Sequence, residues 1–81
     1  MDELTAEQIA QNYSAMGDSV ALINDVIAGK AMKDDAKEDR QDCVDRNTQH
    51  LELMVAKKYW KSESMTAANA AIKAGNGYKA S

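Results

Sequence analysis

The chain has no proline and no phenylalanine, and among 81 residues it has only four glycines, one cysteine and one tryptophan. Each shortage excludes something. Without proline nothing forces a helix to break, and the abundance of Ala, Gln, Glu, Lys and Met favours helix almost throughout. The lone Cys43 cannot close an internal disulfide, so a disulfide-stapled scaffold is excluded and a reducing compartment is the expectation. Long hydrophobic runs are missing as well. No stretch approaches the ~20 apolar residues that cross a bilayer. The acidic opening Met1-Asp2-Glu3, with no apolar segment behind it, does not read as a secretory leader. No membrane contact is therefore expected.

The apolar fraction is 44%, but 14 of those residues are alanine, and the aromatics are only Trp60, Tyr13, Tyr59 and Tyr78. A chain of this length buries only about 60% of its unfolded surface and is marginally stable as a single domain. It has little volume in which to build an enzyme pocket.

What the sequence does contain is helical periodicity. Thr5-Ala6-Glu7-Gln8 has the spacing of a capping box, and Leu4 and Ile9 that of a hydrophobic staple. Behind them Ile9, Tyr13, Met16, Val20, Ile23 and Ile27 recur every three or four residues, which predicts one apolar face. Gly29 follows at the place of a helix-ending glycine. This predicts a first helix over residues 6–28. A second is expected over 35–60, capped by Asp34 or Asp35, with Asp35 and Glu38 at capping-box spacing. Its inward face is read as Ala36, Cys43, Val44, Asn47, Leu51, Met54 and Val55, with Lys58 or Tyr59 at the end. A third, alanine-rich helix is expected over 63–74, with Met65, Ala68 and Ile72 on one side. Asn76-Gly77 reads as a turn, which leaves a flexible tail over 75–81. The fold class is all-α. We expect a long antiparallel helical hairpin with a shorter third helix, able to dimerise into a four-helix-type bundle.

Charge is distributed unevenly. Residues 1–28 carry five acids and no base, whereas residues 57–81 carry five lysines and one acid. In a hairpin, Asp2, Glu3 and Glu7 would lie near Lys57, Lys58 and Lys61, and the signs suit the helix dipoles. The net charge of −3 gives no general attraction to nucleic acid or anionic lipid.

Few groups suggest chemistry. Cys43 and His50 share a helix face, but two ligands do not make a zinc site, and no orienting acid accompanies the single histidine. No catalytic residue, metal or cofactor is expected. The run from Asp34 to Asp42 has helical rather than calcium-loop spacing. Lys57, Lys58, Tyr59, Trp60 and Lys61 interleave bases with aromatics, a composition that can stack on single-stranded nucleic acid. The competing reading has the rings closing the core while the lysines snorkel, and nucleic acid is the weaker expectation.

The first helix carries more apolar surface than one seam can use. Leu22 and Val26 beside its main stripe, and Leu53 on the second helix, are expected on an intermolecular surface, together with the 57–61 cluster. The partner would be a second copy or a larger protein. The motifs Leu4-Thr5-Ala6-Glu7-Gln8, Glu38-Asp39-Arg40, Asp45-Arg46-Asn47, the run His50 to Lys57, Tyr59-Trp60, Met65-Thr66-Ala67 and Ala70-Ala71-Ile72 resemble small uncharacterised helical proteins encoded by tailed bacteriophages. That resemblance implies a setting, the infected host cytoplasm or the virion, and no functional residue. The expected function is a non-enzymatic protein–protein interaction module, structural or virion-associated. An inhibitor of a host protein is the alternative.

Overall fold

The fold begins at Thr5. Its hydroxyl accepts the Gln8 N–H at 3.1 Å, while the Gln8 side chain accepts the Thr5 N–H at 2.9 Å. These reciprocal bonds satisfy two of the donors that a helix start leaves open. The computed structural model describes residues 5–57, 60 and 62–81, without the side chains of residues 62–64. The expected staple residue Leu4, and the Asp2, Glu3, Lys58, Tyr59 and Lys61 expectations, lie outside the described residues. Three helices account for most of the rest: α1 (Ala6–Ile27), α2 (Lys37–Val55) and α3 (Ser62–Gly77). Each packs against both others, and the molecule measures 42 × 20 × 19 Å. The all-α expectation holds.

The end of α1 follows from one glycine. Gly29 has φ +77°, its N–H donates to Val26 O, and the next N–H, from Lys30, reaches back to Asp25 O. This bond pair is a Schellman closure, and it needs a residue that adopts left-handed backbone without a Cβ penalty. The connection that follows holds Ala31 and Met32 against the core. Met32 itself takes φ 56°, an uncommon conformation for a non-glycine residue, and its carbonyl accepts the Asp35 N–H to close a turn.

Several boundaries differ from the sequence reading. The N-cap of α2 is Ala36, without a side-chain cap, so neither Asp34 nor Asp35 caps it. Ala36 is exposed and not part of the inward face. Its carbonyl accepts from Asp39 and Arg40, and Arg40 Nε donates to Asp35 O, which ties the turn to the helix start. At the other end α2 stops at Val55, short of residue 60. Met54 O accepts the Lys57 N–H and the Trp60 indole N–H, so the chain folds back where a continuing helix would need that carbonyl for residue 58. By contrast α3 runs through Gly75 to Gly77, where a tail was expected.

The core consists of Met16, Ile23 and Val26 from α1, Val44, Leu51 and Met54 from α2, and Ala68 and Ala71 from α3. The stripe on α1 is rotated relative to expectation. Val26, expected on a partner surface, is only 3% exposed, whereas Ile27, expected in the core, is 39% exposed. The reason is that α1 has two neighbours. Its buried arc is centred on Met16, Ser19, Ile23 and Val26, with Tyr13 and Val20 to one side. On α2, Thr48 is buried and Asn47 half-buried, its amide donating to Cys43 O at 2.8 Å. α3 contributes its smallest residues, Ala68, Ala71 and Gly75, to the interior, which lets its backbone approach α2 closely.

Candidate interaction face between the first two helices

Beyond the core, polar side chains meet between α1 and α2. Ser19, buried on α1, lies with Oγ 3.2 Å from Nδ1 of the exposed His50 on α2. One turn further along, His50, Leu53, Met54 and Lys57 of α2 line a shallow cleft with Asn12 of α1. Leu53 is 71% exposed, the most exposed large apolar side chain among the described residues. Leu22 is half-buried and packs against the core from the same helix as Ser19. Of the three leucine and valine positions expected at a partner surface, the structure leaves Leu53 on the surface, places Leu22 partly there, and removes Val26 to the interior.

The Ser19–His50 pair is a positional contact rather than a nucleophile and its base. Ser19 is held inside a helix, where the surrounding amide N–H groups are used by the helix ladder and cannot stabilise an oxyanion. Its buried hydroxyl also offers no approach to a substrate. Sequence reasoning missed this pair because a serine within an apolar stripe carries no signal of its own. The three- and four-residue spacing of Met16, Ser19, Ile23 and Val26 is the pattern that could have found it.

Cys43 and His50 make separate contacts. The thiol of Cys43 lies 3.7 Å from the Asn47 amide nitrogen, and His50 is engaged with Ser19. Burial pushes the Cys43 thiol above its ordinary pKa. The Asn47 hydrogen bond works against that shift and the nearby Asp42 adds to it. A thiol held protonated in this way is a poor nucleophile or metal ligand. Among the described residues no three His, Cys, Asp or Glu side chains are grouped to hold a metal ion.

In the 57–61 cluster, Trp60 is half-buried. Its ring meets Tyr13 edge-on, with centroids 4.6 Å apart and planes at 85°, and its indole N–H is taken by Met54 O. The ring is committed to closing the bundle, which favours the core reading over a stacking platform for bases. Lys57 is exposed at the rim of the cleft.

A second surface lies at the other end of α2. Lys37, Glu38, Gln41, Asp42, Asp45 and Ala80 border an open depression. The segment after α3 is tied down there. Gln41 donates to Tyr78 O at 3.1 Å and accepts the Ala80 N–H at 2.8 Å, while Arg40 donates to Ser81 O at 2.8 Å. The expected flexible tail is therefore a strap along the start of α2. No helix of the described residues is long and apolar enough to cross a membrane. No protein-family model, curated protein or solved structure matches this chain.

Proposed function

We propose that the protein is a non-enzymatic protein–protein interaction module that binds through the face between α1 and α2. The observation that carries this reading is Leu53, 71% exposed at the edge of the cleft with His50 and Lys57. An exposed apolar side chain beside polar and cationic groups is the composition of an interface anchor with its rim. The helical hairpin is read as antiparallel. On α1, Tyr13 and then Ser19 are contacted by Trp60 and then His50, so the partner numbers fall as the α1 numbers rise. The resemblance to small proteins of tailed bacteriophages gives such a module a setting, as a virion accessory or as a binder of a host protein.

The test is site-specific photocrosslinking in the cells that make the protein. A photoreactive side chain at position 53 should give a discrete protein adduct that Leu22→Asp removes. The same probe at Ala70, exposed on α3, should give none. Equal labelling from both positions, or no protein adduct from position 53, would overturn the reading.

A further inference from the structure

The segment after α3 and the connection between α1 and α2 meet on one side chain, and we propose that Arg40 latches the two so that they close over the start of α2, and open, together. The half-buried Arg40 donates from Nη2 to Ser81 O at 2.8 Å and from Nε to Asp35 O at 3.3 Å. The strap itself is extended. Tyr78 and Ala80 are half-buried while Lys79 and Ser81 are exposed, the period of two of a strand lying on a surface. Tyr78 packs against the core, and Gln41 holds Tyr78 O and Ala80 N. On the other side of Arg40, Ala31 and Met32 of the connection also pack against the core. Met32 has φ 56°, a conformation that a non-glycine residue keeps only where its surroundings over-determine it. Two bonds restrain it: Met32 O accepts the Asp35 N–H at 3.0 Å, and Asp35 O accepts from Arg40.

The coupling follows from the guanidinium. Its donors sit in a rigid planar fork, so the group that aims Nε at Asp35 also aims Nη2 at Ser81. A long side chain loses its rotamer freedom once and makes two bonds with that loss. When either acceptor leaves, the other must hold the whole side chain alone. Closure of one segment therefore favours closure of the other, and the effect is reciprocal. The alternative is that each segment frays by itself. Opening of the latch withdraws Tyr78 from the core. It also withdraws Ala80 from the border of the depression that Lys37, Glu38, Gln41, Asp42 and Asp45 share with it. The depression thus has a closed form walled by the strap and a wider form in which Arg40 and Gln41 are free to bond to something else.

Amide hydrogen exchange on the full chain, read residue by residue by NMR, tests the latch. Three amides report: Ala80, held by Gln41; Asp35, held by Met32 O; and Ile23, in the core. In the wild type, Ala80 and Asp35 should both be protected, and less than Ile23. Gln41→Met should speed exchange at Ala80 about fivefold, the loss expected for one typical hydrogen bond. It should speed Asp35 as well, although none of the bonds of Gln41 reaches the connection. Ile23 should not change. In an Arg40→Met background, Gln41→Met should no longer alter Asp35, because the link is already cut. The proposal is overturned if Ala80 is unprotected in the wild type, or if Gln41→Met leaves Asp35 at its wild-type rate. It is also overturned if Gln41→Met speeds Asp35 equally with and without Arg40, which would mean that the start of α2 frays. Should Ile23 accelerate too, the opening is global, and Arg40→Lys replaces these variants. It keeps the charge but lacks the fork, and it should speed Ala80 and Asp35 while sparing Ile23; any other pattern overturns the latch.

Discussion

Thr48 of α2 stands directly against Gly75 of α3, so closely that a Cβ on residue 75 would overlap the Thr48 Oγ1. Both residues are buried. The missing side chain at residue 75 is what leaves room for Thr48, and it explains why a glycine is tolerated inside α3.

Gly75→Ala should therefore destabilise the fold. Alanine gains ~1 kcal/mol in helix propensity over glycine. Overpacking a filled core costs about 1–3 kcal/mol, and the atom in the way is on a short branched side chain with little freedom to retreat. The expected net loss is about 1 kcal/mol, a fall in Tm of roughly 4–8 °C for a domain of this size. In the Thr48→Ala background the same change should be neutral or stabilising, which thermal melts of the four chains of a double-mutant cycle would read.

Thr48→Val should stabilise the protein. Thr48 Oγ1 is buried with no hydrogen-bond partner among the described residues. A valine keeps the shape and removes a polar atom whose desolvation costs about 1–3 kcal/mol. A higher denaturation midpoint with an unchanged slope is the expected result, and a lower midpoint would mean that the hydroxyl has a partner or that the larger methyl crowds Gly75.

Thr5→Ala should cost about 1 kcal/mol by removing the cap at the start of α1. The loss should be local as well as global. Gln8 would lose its acceptor, and amide exchange of the first turn should accelerate more than that of Ile23 in the core.

Stability should fall in alkaline solution through Cys43. The folded state holds this thiol above its ordinary value of 9.0, chiefly by burial, so the folded state binds the proton more tightly than the unfolded chain does. The contribution is complete below about pH 9 and is lost as pH rises through the folded value. Cys43→Ala should flatten that part of the pH–stability curve, and alkylation of the native thiol at neutral pH should be slower than in the unfolded chain.

The parts of this fold legible in the sequence are those governed by local chemistry. The Thr5–Gln8 capping box and the Gly29 closure of α1 depend on a few adjacent residues, and both are present as the spacing indicates. The parts that were not legible depend on contacts between distant residues. α2 ends early because Trp60 turns back onto Tyr13 and Met54. Residues 75–77 are helical because Gly75 fits against Thr48, overriding the turn preference of Asn76-Gly77. Val26 and Ile27 exchange roles because α1 faces two helices rather than one. At the candidate site, Leu53 was legible from its place off the main stripe, whereas the Ser19–His50 contact was not.

Gln41 binds the segment after α3 through both ends of one amide, giving a hydrogen to Tyr78 O and taking one from Ala80 N. A side-chain amide has the same donor and acceptor as a peptide group, so Gln41 acts as a single rung of a β-ladder in a protein built of helices. Neither a carboxylate nor an ammonium can make both bonds, because the first cannot donate and the second cannot accept. Gln41 is therefore the one side chain of α2 that both gives to and takes from the segment after α3, beside Arg40, which donates to Ser81 O.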